Sequence, residues 1–90
     1  MAKRERLEII KDILKIIQDN HNSIKITPLI RKSNLSSSRF SEYFSELLKK
    51  DFIKEIIDKD GKKNISLTEK GSQYLDKYKT IVGFIEEFEL

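Results

Sequence analysis

The stretch Ile56 to Gly71, IIDKDGKKNISLTEKG, constrains this chain more than any other. Asp60-Gly61 lies between two runs that carry isoleucine, and glycine accepts the positive φ that tight hairpin turns need. Thr68, with Gly71 three residues on, then marks the start of a helix. The sequence leaves two registers open. A two-residue turn pairs Ile56 with Ile65, whereas a three-residue turn with Gly61 in a bulge pairs Ile53 with Leu67. Either way, Lys59, Lys62 and Lys63 stand at the tip of a two-stranded ribbon with a helix on each side.

What precedes the ribbon reads as helix. Leu7, Ile10, Leu14 and Ile17 recur at helical spacing over residues 3–19, and Ile9, Ile13 and Ile16 widen that stripe past one face. Asn20 to Ser23 end it with turn-forming residues, and Ile24 to Ile26 make at most one short strand. Thr27 before Pro28 predicts an N-cap followed by proline at the first helical position. About a turn and a half later Ser33-Asn34-Leu35 interrupts, and Ser36 caps a second helix running to about Lys50. Its inward stripe is Phe40, Phe44, Leu47 and Leu48 with Tyr43 beside them; Ser37, Ser38, Arg39, Ser41, Glu42 and Ser45 fall on the other side. The order is helix, short strand, helix, helix, hairpin, helix: mainly α with a small β-hairpin.

Composition narrows the function classes. A 90-residue chain makes one domain with a small core. It has no cysteine, which excludes disulfides, thiolate metal sites and a cysteine nucleophile. No apolar run approaches the ~20 residues of a membrane span, and MAKRERLEII lacks a signal peptide's apolar block, so a cytoplasmic location is expected. His21 is the single histidine, in a polar loop, and DGKKN lacks the spacing of a phosphate loop. No enzyme, cofactor or metal is expected. Asp58 and Asp60 read as solvated turn acids.

The net charge of +3 says little, but its distribution says more. From Lys25 to Lys50 six basic residues face Glu42 and Glu46, a local +4; from Leu67 to Leu90 three lysines face five acids, a local −2. One end of the chain suits a polyanion.

Two helices joined across RKSNLSSS suit a helix-turn-helix, whose second helix enters a DNA major groove. Small serines permit close approach, Arg39 can reach a guanine edge or a phosphate, and free N–H groups at the helix start suit a phosphate. On this reading Arg31 and Lys32 touch phosphates, Ser36, Ser37, Ser38, Arg39, Ser41, Glu42 and Ser45 line the groove-reading face, and Lys59, Lys62 and Lys63 form a wing on backbone or minor groove. The plainer alternative is that the serines cap, Arg39 solvates a surface, and a hairpin tip is charged for solubility. Glu42 and Glu46 count against tight phosphate contact.

The run SNLSSSRFSEYFSELLKKDFIKEI, followed by DGKKNISLTEKGSQYLDKYK, resembles archaeal winged-helix DNA-binding proteins. It is closest to the group that dimerises through a C-terminal antiparallel coiled coil, and is more distantly similar to MarR- and PadR-like regulators. The resemblance spans roughly Arg6 to Lys79, with SNLS and LTEKG its most telling pieces. It implies a recognition helix over Ser36 to Lys50, a wing over Ile53 to Leu67, and a last helix that forms a dimer seam. Asp51 departs from it, standing where such proteins usually carry a glycine with φ > 0.

In that last helix Tyr74, Tyr78, Ile81, Ile85 and Phe88 repeat at heptad spacing, with Leu75, Val82 and Phe84 beside them. They are the expected interface of a homodimer, although the helix could also fold back on the first one. The expected architecture is a winged helix-turn-helix domain over residues 1–67 and a dimerisation helix over 68–90. The expected partner is double-stranded DNA, with nucleoid association and a role as transcriptional regulator or chromatin-associated protein. The rival is a winged-helix protein-interaction module. The sequence implies no membrane contact, and no small-molecule ligand can be inferred from it.

Overall fold

The computed structural model describes residues 2–90, with side chains from Glu5 onward. The elements are α1 (Ala2–Asp19), α2 (Ile26–Ser33), α3 (Ser37–Lys49), β1 (Ile53–Ile57), β2 (Lys63–Leu67) and α4 (Glu69–Glu87). The predicted order therefore holds, with the short strand reduced to a single antiparallel bridge from Ile24 to Ile65.

The central element is α1, which packs against α2, β2 and α4. Ile10, Ile13, Leu14 and Ile17 are buried, which is why its apolar stripe is wider than one face. They meet Leu29 of α2, Phe40 and Leu47 of α3, Ile53 of β1, Ile65 and Leu67 of β2, and Leu75 of α4 in one core. Leu7, expected in the stripe, is 47% exposed because it lies a turn before the core begins.

The hairpin takes the register that pairs Ile53 with Leu67 and Ile57 with Lys63. Only this register puts Ile53, Ile65 and Leu67 on one sheet face, where all three are buried; a one-residue slip would turn Ile53 away. Gly61 takes φ 77 and donates its N–H to the Asp58 carbonyl at 3.0 Å, making the three-residue turn.

Helix ends follow local chemistry with one displacement. Ser36 accepts from the Arg39 N–H at 3.2 Å, and Thr68 from the Gly71 N–H at 3.1 Å. The N-cap of α2 is Lys25, not Thr27, so Pro28 sits in the third helical position. The helix loses nothing by this, since that N–H has no intrahelical partner either. After α3, Asp51 adopts φ 64, with N–H bonds from Asp51 to Leu48 O at 3.1 Å and from Phe52 to Leu47 O at 2.9 Å. This is a Schellman ending with aspartate in the glycine position.

Candidate nucleic-acid interface

The turn between α2 and α3 closes with Asn34 in the left-handed region at φ 63, a conformation asparagine tolerates. The Ser33 hydroxyl donates back to Ile30 O at 2.6 Å and accepts from the Leu35 N–H at 3.3 Å. These bonds fix how α3 leaves α2. Phe40 and Leu47 anchor α3 in the core, with the Phe44 ring stacked 5.6 Å from Phe40. The opposite face is then free: Ser36, Ser37, Ser38, Arg39, Ser41, Glu42 and Ser45 are all exposed, as are Arg31 and Lys32 in the last turn of α2.

The ribbon follows α3 directly, and β1 packs against it. Lys59, Lys62 and Lys63 are exposed on it, and Lys63 lies 3.3 Å from Glu55 across the ladder. Asp58 stays open to solvent in the turn, as expected, but it also holds the turn together. One carboxylate oxygen accepts from the Asp60 and Lys62 N–H groups, each at 2.9 Å, and the other from Asn64 Nδ2 at 3.1 Å. The Lys62 N–H bond leads in holding this carboxyl below its ordinary value. An aspartate in a turn bonding the backbone two residues on is a signal the residues did carry. Its charge organises the tip and does not simply cancel the lysines.

The first helix adds contacts that the residue pattern gave no sign of. The Arg6 guanidinium grips both oxygens of Glu46, which also lies 3.7 Å from Lys50. One of the two acids counted against phosphate contact is thus offset within the chain. Glu42 makes no ion pair among the described residues. Arg39 donates to Glu5 at 2.9 Å, and that bond raises its already high pKa further. Arg6, Arg39, Glu42, Tyr43 and Glu46 surround a shallow depression on this face.

At the far side, α4 divides. Gly71 lies so close to the residue before β1 that a Cβ would collide with the Phe52 carbonyl, and Leu75 is in the core. Tyr74 donates to Leu7 O at 3.0 Å and Tyr78 has the Lys11 ammonium 5.7 Å from its ring centre, so both are committed to α1. Ile85 is half-buried, while Ile81, Phe84 and Phe88 are 57%, 54% and 58% exposed. The Phe84 and Phe88 rings stand 4.8 Å apart. The heptad stripe is thus shared between the chain's own first helix and open solvent, with Phe84 joining its uncovered part.

Among the described residues no group of three or more histidines, cysteines or acids is placed to hold a metal ion. Among the described residues no helix is long and apolar enough to cross a membrane.

Solved structures share this fold. A MarR family transcriptional regulator from Silicibacter pomeroyi DSS aligns with TM-score 0.74 and 18% identity, over 93% of this chain and 57% of that one. This chain therefore spans little more than half of that regulator. Sso10a-2, a DNA-binding protein from Sulfolobus solfataricus, aligns with TM-score 0.70 and 22% identity, over 92% of this chain and 83% of that one. SSV1 F-93 aligns with TM-score 0.67 and 26% identity, over 90% and 88%. The expected likeness to archaeal winged-helix proteins and to MarR regulators is borne out at the level of fold. No curated protein sequence matches the chain. The family model for the winged helix-turn-helix, however, matches residues 3–86, and the chain belongs to that family.

Proposed function

We propose that this protein is a double-stranded DNA-binding regulator or chromatin-associated protein that binds as a homodimer and performs no chemical step. The observation that carries the reading is the exposed polar face of α3 beside a lysine-tipped wing, with one acid of each, Glu46 and Asp58, already partnered within the chain. On this reading α3 enters the major groove through Ser37, Ser38, Arg39, Ser41, Glu42 and Ser45, and Ser36 leaves helix-start N–H groups for a phosphate. Arg31, Lys32, Lys59, Lys62 and Lys63 hold the backbone or minor groove. The described neighbours named as a transcriptional regulator and a DNA-binding protein lend support.

The second copy docks along α4. Ile81, Phe84 and Phe88, with Leu7 next to Ile81 and Ile85 along the same groove, form an apolar ridge that the chain leaves in water. Each such side chain gains about 1.5–3 kcal/mol on full burial, and about half of that is still to be had here. Tyr74 and Tyr78 stiffen the base of the ridge from within their own protomer.

The test is a fluorescence-anisotropy titration of a random duplex over a salt series. A dimer touching ~6–10 phosphates loses roughly 10³–10⁵ in affinity between about 50 and 200 mM salt. Charge reversal at Arg39 or Lys62 should remove most of the binding. A flat salt response, or variants that bind as well as the wild type, would contradict the reading.

One observation favours a protein partner instead. Ile56 and Ile57 are 42% and 61% exposed on the free edge strand of the wing, where phosphate contact has no need of them. If the reversed-charge variants bind duplex unchanged, that edge becomes the surface to test.

A further inference from the structure

Arg39 is the single cation in the first two turns of α3; Lys49 is at the helix's far end and Lys50 caps it. It is also the one α3 side chain bound to an acid of another element: its guanidinium donates to Glu5 of α1 at 2.9 Å. Both side chains remain open to water, 48% and 59% exposed. Further along α3, the Arg6 guanidinium donates to both carboxylate oxygens of Glu46, which pins the start of α1 against the recognition helix. Glu5 is therefore presented beside Arg39 by a neighbouring pair, across 34 residues of sequence.

We propose that Glu5 is a mask on the recognition helix: it occupies Arg39 and holds a negative charge at the surface a phosphate would approach. Binding to any duplex then requires Arg39 to exchange Glu5 for DNA, which lowers affinity for phosphate backbone in general. The mask can be displaced because the pair is solvent-exposed, and exposed pairs are weak. Glu5 thus acts through Arg39, and it sets how far binding depends on what the rest of the face can read. This rests on the DNA-binding reading above.

The experiment compares wild type, Glu5→Gln, Arg39→Gln and the double variant in the same anisotropy assay. Glu8→Gln, an exposed acid on the same helix, controls for the change in net charge. Glu5→Gln should bind random duplex about 3–5-fold more tightly than Glu8→Gln at low salt. Its log–log salt slope should stay close to that of the wild type, because Arg39 makes the same phosphate contact in both once Glu5 is displaced. Adding Glu5→Gln to Arg39→Gln should give no more than the Glu8→Gln effect, since the masked group is gone. Thermal melts establish that each variant is folded, and Glu5→Ala supplies a second removal of the carboxylate. Binding by Glu5→Gln where the wild type shows none would support the mask in its strongest form. If the wild type binds and Glu5→Gln matches Glu8→Gln or binds more weakly, the mask is wrong and Glu5 instead braces Arg39 or does nothing. If no variant binds even at low salt, the DNA reading falls and the mask with it.

Discussion

The face of α3 with the wing and the last third of α4 are both exposed, and for opposite physical reasons. The first is polar apart from Ile56 and Ile57 on the wing's edge: serines, Arg39, Glu42 and lysines that lose little by standing in water. It is also held in shape, by the Ser36 cap, the Asn34 turn and the Asp58 carboxylate. The second is apolar, with Ile81, Phe84 and Phe88 more than half uncovered. Polar exposure needs no partner, so the first surface is read from shape and charge. An apolar ridge of this kind on a small domain marks a place where something docks.

The comparison breaks first at the root of α4. Gly71→Ala puts a methyl group against the Phe52 carbonyl and should cost roughly 2–3 kcal/mol in urea unfolding. Gly83→Ala, with nothing within 4 Å, should be neutral or stabilise by up to about 1 kcal/mol through helix propensity. A mild Gly71→Ala would mean that α4 is not seated on the hairpin.

On the ridge itself, Phe84→Asp should weaken the proposed dimer by about 2 kcal/mol, roughly 30-fold, measured by sedimentation-equilibrium ultracentrifugation. The monomer should unfold at nearly the same urea concentration, because Phe84 is outside the core. On the polar side Ser36→Ala should cost about 1 kcal/mol by removing the cap of α3, without changing the oligomeric state.

The smallest effect concerns pH. The Asp58 carboxyl is held below the ordinary aspartate value of 3.8, so its support of the wing is full above that value. It is lost as pH falls through the lower folded-state value, because protonation removes the acceptor of the Lys62 and Asp60 N–H groups. Amide NMR shifts at Asp60 and Lys62 should follow this titration while those of α4 stay still. Asp58→Asn should flatten it.

Much of this was legible because helix caps and tight turns are local chemistry. Ser36, Thr68, Gly61 and the left-handed Asp51 stand as their neighbours dictate. The start of α2 moved because proline fits any of the first helical positions, so Pro28 could not mark a single one. The register needed the core: the two pairings turn β1 to opposite faces, and only the observed one puts Ile53 in the core. The heptad stripe of α4 was visible, but spacing cannot say what covers it, and Tyr74 and Tyr78 turned to α1. Nor could local pattern foresee Arg6 with Glu46 or Glu5 with Arg39, which meet across 40 and 34 residues.

The most direct measurement is an NMR titration of ¹⁵N-labelled protein with a short random duplex at low salt. Amide shifts should move across residues 36–45 and 58–63 and stay fixed from 81 to 90. Shifts confined to the α4 ridge, or none anywhere, would contradict the assignment of the α3 and wing surface to DNA.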